Sequence, residues 1–301
     1  MNQKHATHPL REIKQADLTR LARAADRLLA GHPNLLEGPL RSARRPGRGM
    51  EFFDFQRYQP GGDVRTIDWC ASARSRHKLM RRYHQDMSSE WIICLDRSAS
   101  MRVPDLAKWN LAVQLAAAFL FLLLHRTDRV GLLSFSSDVD VFCPLGRGHA
   151  QFKRGVSLLS GVPCQGEGGS SNLLACAKWI GRQRSVFVIS DFLAPDAMRP
   201  ALGSLRRLGG GVHALQVLSA VECAPPPTSD ALLRDIESGE RLAIGTTPDG
   251  HETAADRLNS LRSDLGAHCR RSGIRFSTCT TDQPWRAVVL EHLTRVGGHN
   301  A

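Results

Sequence analysis

The chain has 301 residues, a length typical of about two domains or of one domain with a large extension. Hydrophobic residues make up 42% of it and charged residues 23%, which excludes a wholly disordered chain. Forty Lys and Arg against 29 Asp and Glu leave a formal net charge of +11, which favours an acidic or polyanionic partner without identifying one. The eight cysteines contain no Cys-x-x-Cys pair and follow no secretion signal, so we expect reduced thiols in a cytoplasmic protein.

The first part of the chain predicts a helix followed by a β-rich extension. Apolar residues recur at helical spacing over residues 15–30, so we assign residues 1–35 to an N-terminal helical segment. Residues 36–88 contain aromatic and β-branched residues that are interrupted around Pro60 and Gly61. This pattern is typical of short strands around a turn, and it indicates a small β-rich extension.

From Ser89 onward, apolar strands alternate with helices. Strands are expected at 91–95, 129–135, 139–142, 185–190, 212–218 and 274–278, and helices at 106–125, 150–160, 172–182, 196–208, 252–271 and 284–296. The repetition indicates a doubly wound α/β domain with a mostly parallel sheet over residues 89–301. Residues 222–250 interrupt the rhythm and are interpreted as an inserted hairpin. The apolar run at 115–124 is shorter than the roughly 20 residues that a bilayer requires, so we expect a buried core helix and no membrane span.

Carboxylates and hydroxyls follow two of the predicted strands. Asp96, Ser98 and Ser100 come after strand 91–95, and Asp191 comes after strand 185–190. Ligands of open parallel sheets bind at the carboxyl ends of strands, so these side chains can converge on one hard cation, for which oxygen ligands suit Mg²⁺, Mn²⁺ or Ca²⁺. The alternative is structural, with the two serines capping the next helix and Asp96 accepting turn hydrogen bonds. The spacing alone leaves both interpretations open.

Two motifs resemble known families. The sequence Asp96-x-Ser98-x-Ser100-Met101 resembles the metal-ion-dependent adhesion site of von Willebrand factor type A domains. The stretches 47–52, 56–61, 63–69 and 72–74, together with Ser190-Asp191-Phe192 and residues 235–240, are similar to the signature of the bacterial domain-of-unknown-function 58 family. That family joins such a fingerprint to a von Willebrand A-like, Rossmann-like domain. The chain departs from the pattern at Gly62, where the family commonly has an acidic residue.

The resemblance implies a role for each matching residue. Asp96, Ser98 and Ser100 match the first metal loop, and Asp191 matches the last. The middle loop usually offers a threonine; here Ser170 or Ser171 takes its place, and Ser171 fits the spacing better. Serine retains the hydroxyl but lacks the methyl group that stiffens threonine, so the affinity for Mg²⁺ is expected to be lower.

The fingerprint also mixes opposite charges with an aromatic residue, and its members are Arg57, Asp63, Arg65, Asp68, Trp69 and Arg74. They form either an internal network that docks the extension onto the sheet or an exposed partner-binding surface. Between residues 41 and 82 there are eleven basic residues against four acids, enough to attract an acidic protein or a nucleic acid. Because no recognised nucleic-acid-binding motif accompanies them, we expect nucleic acid not to be the main partner.

The sequence contains no phosphate-binding loop, no dinucleotide-binding fingerprint and no nucleophile elbow, so we expect a non-enzymatic protein. The resemblance implies an adaptor that works with a MoxR-type AAA+ ATPase in a chaperone-like assembly on a client protein, and whose Mg²⁺ keeps one position open for a partner carboxylate. Two alternatives stay open at this point: a basic nucleic-acid-binding protein and a metal-dependent hydrolase.

Overall fold

The computed structural model describes residues 9–31, 36, 46–47, 51–59, 64–75, 77–84, 89–164, 171–223, 231–234, 241–244 and 254–295. The chain begins with helix α1 (Gln15–Gly31). A small antiparallel sheet follows, with strands β1 (Pro46–Gly47), β2 (Glu51–Arg57) and β3 (Leu79–His84) in the order β1-β3-β2, and with the short helix α2 (Trp69–Ala73) between β2 and β3.

A six-stranded sheet forms the centre of the protein. Its strands are β4 (Glu90–Asp96), β5 (Arg129–Phe135), β6 (Val139–Gly146), β7 (Ser185–Ser190), β8 (Val212–Leu218) and β11 (Arg275–Thr280), in the spatial order β11-β8-β7-β4-β5-β6. Neighbouring strands are parallel except for β5 and β6, which are antiparallel. Strands β9 (Ala231–Arg234) and β10 (Arg241–Ile244) form a separate antiparallel pair. The predicted mostly parallel α/β sheet is confirmed.

Helices cover both faces of this sheet. One face carries α1, α3 (Ala107–His125), α4 (Gly148–Gly161) and α9 (Trp285–Arg295); the other carries α5 (Ala177–Ile180), α6 (Pro195–Arg207) and α8 (Ala254–Arg271). A four-residue helix, α7 (Ala220–Cys223), follows β8. Every residue of β7 and β8 is buried, and both strands are predominantly apolar, although β8 also buries His213 and Gln216, which form hydrogen bonds with His292 and with the Asp191 carbonyl.

Helix α3 lies in the middle of the core. By length and composition it is the one helix among the described residues that could cross a membrane, yet 83% of its most apolar window is buried inside the protein. It packs between the sheet and helices α1, α4 and α9. Its burial is that of a core helix, as predicted, and α1 contributes Leu18, Leu21 and Leu29 to the same core.

Three predicted elements differ from the structure. The helix expected at 172–182 is wrong as a continuous helix: a 3₁₀ turn at Leu173–Cys176 precedes the short α5. Hydrogen bonds from the Asn172 backbone and amide to the carbonyls of Ser136 and Ser137 fix the chain entering this turn, and Gly181 ends α5 with a φ of +74°. Strand β6 continues to Gly146, past the predicted end at 142, because it pairs with the whole of β5. The hairpin expected over 222–250 begins later, since residues 220–223 form α7.

Candidate metal and partner site at the carboxyl edge

The candidate site lies where the order of the sheet reverses. The chain runs from β4 outward through β5 and β6 on one side, and then returns to place β7 against the other side of β4. Loops diverge at such a switch point and leave a crevice beyond the carboxyl ends of the strands. Asp96 is the last residue of β4, and Asp191 directly follows β7. We call this side of the sheet the carboxyl edge.

Asp96 is the centre of a buried hydrogen-bond cluster. Its Oδ2 accepts from the Ser171 and Ser190 hydroxyls at 2.6 Å each, and its Oδ1 accepts from the Ser98 backbone N–H at 2.8 Å. Burial, with the negative charge of Asp191 adding to its effect, raises the pKa of Asp96 to about 6 in spite of the three hydrogen bonds. The site therefore holds more negative charge than its donors balance, and a cation would neutralise that excess.

Ser98 and Ser100 lie beside each other in the first loop. Both are buried, and their hydroxyl oxygens are 3.0 Å apart. Ser98 precedes the 3₁₀ turn Ala99–Arg102, but its side chain makes no capping hydrogen bond to that turn. The capping interpretation is thus wrong for Ser98, whereas Asp96 does accept the turn hydrogen bond that the same interpretation predicts.

Asp191 belongs to a second buried cluster. The ammonium group of Lys108 is fully buried, and its Nζ lies 3.2 Å from Asp191 Oδ2 and 2.6 Å from Glu222 Oε1. The backbone carbonyl of Asp191 also accepts from Gln216 Nε2 at 2.8 Å. Burial raises the pKa of Glu222, although the neighbouring Lys108 opposes the shift. The start of α3, the loop after β7 and helix α7 therefore meet around one lysine.

Sequence reasoning missed three members of these clusters: Ser190, Lys108 and Glu222. Ser190 could have been found, because it lies beside Asp191 at the end of a buried strand. A lysine next to the start of the most apolar helix is also an unusual feature, since a buried ammonium group requires a negative partner. Nothing in the sequence pairs Lys108 with Glu222, which lies 114 residues away.

The donor set fits a hard divalent cation. In the part of the chain that the structure describes, no cluster of three or more His, Cys, Asp or Glu side chains could hold a metal, so an ion here depends on serine hydroxyls. Carboxylate and hydroxyl oxygens are suitable ligands for Mg²⁺. Asp191 Oδ2 is committed to Lys108, but Oδ1 accepts only a 3.4 Å contact from the Leu193 N–H. Asp96, Ser98, Ser100, Ser171 and Asp191 Oδ1 therefore fit the group, while Ser170 lies outside the described residues.

Comparison with known proteins identifies the family. Residues 54–258 match the family described as "Protein of unknown function DUF58". The chain belongs to this family. Uncharacterised proteins of Mycobacterium tuberculosis (strain H37Rv) and Mycobacterium bovis are each 30% identical to it over 255 residues, which cover 82% of this chain and 80% of theirs.

Two solved structures overlap with this DUF58 protein at low identity. The conserved hypothetical protein BatB from Bacteroides thetaiotaomicron is 13% identical, with a TM-score of 0.43 over 70% of this chain and 99% of that one. An aerotolerance-related membrane protein from Bacteroides fragilis is 16% identical, with a TM-score of 0.43 over 69% of this chain and 100% of the other. The family assignment rests on the sequence matches.

The fingerprint residues of this DUF58 protein precede both carboxylate clusters in the sequence, and most of the described ones are exposed. The exposed ones are Arg57, Arg65, Trp69 and Arg74, and Trp69 is 64% exposed. The interpretation that places Trp69 in an internal network is therefore wrong. Asp68 begins α2, where its Oδ1 accepts from the backbone N–H groups of Cys70 and Ala71 at 3.0 Å, so its structural role is that of an N-cap. Asp63 lies outside the described residues.

Exposed apolar side chains flank the two carboxylate clusters in the chain. Val103 and Leu106 lie in the segment between β4 and α3, Leu193 is two residues after Asp191, Leu174 is three residues after Ser171, and Val221 precedes Glu222. These side chains are between 36% and 52% exposed. A buried polar centre bordered by exposed apolar residues resembles a protein-binding surface more than a solvated loop cluster.

Proposed function

We propose that this DUF58 protein is a non-enzymatic, metal-dependent interaction adaptor with a von Willebrand A-like domain. The observation that carries the proposal is the oxygen-only cluster around Asp96, which is buried, negatively charged and located at the switch point of the sheet. A bound Mg²⁺, or Mn²⁺ or Ca²⁺, supplies a Lewis-acid position that a partner's carboxylate can occupy.

The chain's own residues have separate tasks in this proposal. Asp96 provides the central carboxylate, and the Ser171 and Ser190 hydroxyls that bond it hold the middle loop and β7 against β4. Lys108 holds Asp191 in place, and its positive charge offsets part of the negative charge at the site. The bordering apolar side chains, such as Leu106 and Leu193, supply the contact area that a single carboxylate cannot.

The proposed partner is a MoxR-type AAA+ ATPase, with the present chain presenting or activating a client protein in the cytoplasm. Support for this partner comes from the family resemblance of the fingerprint and of the Asp96 motif. The exposed Trp69 and Arg74 of the extension offer a second contact surface outside the carboxyl edge.

Two measurements test the proposal. Calorimetric titration with Mg²⁺ should detect one site in the wild type and none in Asp96→Ala, because that substitution removes the central carboxylate. A pull-down of a purified MoxR-type ATPase, with and without a chelator, should then lose the partner in both the Asp96→Ala and the chelated samples.

Asp196→Asn is the matched control, since it removes an exposed carboxylate from the same edge. It should bind Mg²⁺ and partner like the wild type. Equal partner binding in the wild type, Asp96→Ala and chelated samples would exclude metal-dependent binding and leave Asp96 with a structural role in the turn.

A further inference from the structure

The opposite side of the sheet carries an unusual concentration of arginine. Parallel strands begin there, and the helices that precede them end there. Across the described turns on this side, the arginines are Arg126, Arg129, Arg147, Arg182, Arg184, Arg206, Arg207, Arg270, Arg271 and Arg275. The acids in these turns and at the strand starts are Asp128 and Glu90, and the one lysine at the described helix ends is Lys178, in the last turn of α5. We call this set of arginines the arginine edge.

Contacts in the structure show that these turns are neighbours. The Gln183 N–H donates to the Leu208 carbonyl at 2.8 Å, which joins the turn before β7 to the turn after α6. A Cβ built on Gly273 would lie 3.7 Å from Arg206 Nε, so the α8–β11 turn is next to the end of α6. Glu90 accepts from Arg184 and Arg129, which links the turn before β7 to the start of β5. Val130 pairs with Gly146, which places Arg147 beyond them.

The two acids do not balance this charge. Glu90 is paired with both Arg129 and Arg184, and Asp128 is fully buried, where its Oδ1 accepts from the Ser89 N–H. In the described part of the chain, Arg182, Arg270 and Arg271 are exposed and form no ion pair. Exposed guanidinium groups therefore lie in the turns before β7, β8 and β11 and beyond the end of β6, with half-buried ones beside β5, along an edge about 24 Å wide at the usual strand spacing.

Helix dipoles explain only part of this arrangement. A cation near a helix C-terminus is stabilised by the partial negative charge there, which accounts for Arg126, Arg206 and Arg270. Arg129 and Arg184 lie at the starts of strands, where both pair with Glu90, and Arg275 contacts His213. Arg147 directly precedes the first turn of α4, where the positive end of the helix dipole disfavours a cation, so the dipoles do not account for it.

The chemistry of the arginine edge suits phosphate. The planar guanidinium group binds phosphate oxygens through two parallel N–H donors, which the ammonium group of lysine does not. Among the turns and helix ends that carry these arginines, one large apolar side chain is exposed: Trp179, which is 45% exposed and lies three residues before Arg182. Protein interfaces and membrane-binding faces generally provide several. A row of cations with so little apolar surface beside it matches a repeating phosphodiester backbone.

From this arrangement we propose that the arginine edge is a sequence-independent binding surface for the phosphate backbone of duplex nucleic acid. The inference goes beyond the adaptor function, because it concerns the edge of the sheet opposite the candidate metal site. It also differs from the expectation drawn from residues 41–82, since none of the ten arginines belongs to that stretch.

The test uses the full chain and a random 24-base-pair DNA duplex, with binding followed by fluorescence anisotropy between 50 and 200 mM salt. The wild type should bind with micromolar affinity at the lower salt concentration and weaken steeply as salt rises. Arg182→Gln/Arg270→Gln/Arg271→Gln should lower the affinity at least tenfold and reduce the logarithmic salt slope by about three, or about one per lost phosphate contact. The corresponding Lys substitutions should retain most of the slope, because they keep the charge.

Arg11→Gln/Lys14→Gln/Arg20→Gln is the matched control, since it removes three exposed cations from the N-terminal segment, away from the arginine edge. This variant should bind DNA like the wild type. The proposal is overturned if both triple variants lose the same affinity, or if the wild type does not bind the duplex. It is equally overturned if poly-glutamate of the same total charge competes as well as DNA, or if anionic lipid vesicles bind and DNA does not.

Discussion

The two edges of the central sheet carry opposite charges, and they differ in how far those charges are buried and paired. Among the described residues near the carboxyl edge, the acids are Asp96, Asp105, Asp138, Asp140, Asp191, Asp196, Glu222 and Asp282, against Arg97, Arg102, Lys108 and Arg286. The arginine edge has ten arginines against two acids. Both distributions largely complement the helix dipoles, because α3, α6 and α8 begin at the carboxyl edge and end at the other, whereas α4 follows the antiparallel β6 and runs in the opposite direction.

Burial distinguishes the two edges. At the carboxyl edge the central charges are almost fully buried and are held by hydrogen bonds between distant segments, as in the contacts of Lys108 with Asp191 and Glu222. At the arginine edge most guanidinium groups are exposed. Buried charges must be matched individually and so can define a specific site, whereas exposed charges act together and are screened by salt.

The largest expected effect is at the buried lysine. Lys108→Met should lower the free energy of unfolding by about 3–5 kcal/mol, because it leaves Asp191 and Glu222 without their buried cation. Urea denaturation measures this difference. Lys153→Met, at an exposed position on α4, should change it by less than about 0.5 kcal/mol. Similar losses in both variants would show that the Lys108 cluster does not stabilise the carboxyl edge.

A substitution at a close backbone contact on the arginine edge should have the next largest effect. A Cβ on Gly210 would lie 1.6 Å from the carbonyl oxygen of Arg184, and backbone cannot move away as a flexible side chain can. Gly210→Ala should therefore destabilise the protein by about 1–3 kcal/mol or more, measured by thermal unfolding. Gly161→Ala is the control, because a Cβ there would meet nothing within 4 Å. An unchanged melting temperature for Gly210→Ala would contradict the close packing of the two turns.

Two buried histidines below the arginine edge predict a pH dependence. Because arginine has no acceptor, Arg275 donates to His213 Nε2 (3.4 Å), and the proton of the neutral His213 ring is therefore on Nδ1. His213 Nδ1–H then donates to His292 Nε2 (3.0 Å), and His292 Nδ1–H donates to Ser277 Oγ (2.6 Å). Burial lowers the pKa of His292 to about 3, with Arg275 adding to the shift, and burial also lowers the pKa of His213. Both rings are therefore neutral in the folded protein near neutral pH.

The sign of the effect follows from the unfolded chain, in which each histidine is protonated below about pH 6.5. Stability should be full above that pH and should fall as the pH drops from 6.5 toward 3, by about 1–2 kcal/mol over the first unit for the pair. Urea midpoints at pH 7.5 and 5.5 measure the loss. His213→Gln/His292→Gln should flatten the dependence, while the exposed His149→Gln should not. Equal slopes in the two variants would assign the pH dependence to other groups.

The smallest expected effect is the change in stability on substitution of the exposed arginines. Arg182→Gln/Arg270→Gln/Arg271→Gln should lower the free energy of unfolding by less than about 1 kcal/mol, because exposed cations at helix ends contribute little and are screened. Urea denaturation at low and high salt measures this change. A loss of several kcal/mol that persists at high salt would show that these side chains stabilise the fold directly, contrary to the comparison of the two edges.

Part of this structure could be predicted from local sequence patterns. The predicted bounds of the strands at 129–135, 185–190 and 212–218 agree with the structure, because strands buried on both faces are predominantly apolar segments. The position of Asp96 and Asp191 beyond strand ends was likewise visible. The segment at 172–182 was not, since its conformation depends on hydrogen bonds from Asn172 to residues 136 and 137, about 35 positions earlier in the chain.

The sequence by itself determined the fold class, the order of most elements and the oxygen-bearing residues at the carboxyl edge, because hydrophobic period and strand-end chemistry are local properties of the chain. Only the tertiary structure decided which distant groups meet. It joined Ser190 and Ser171 to Asp96, paired Lys108 with Glu222, and brought arginines from turns scattered between residues 126 and 275 to one edge. The reason is physical: in a doubly wound sheet, strand order and direction determine which loops become neighbours, and neither is written in any single segment.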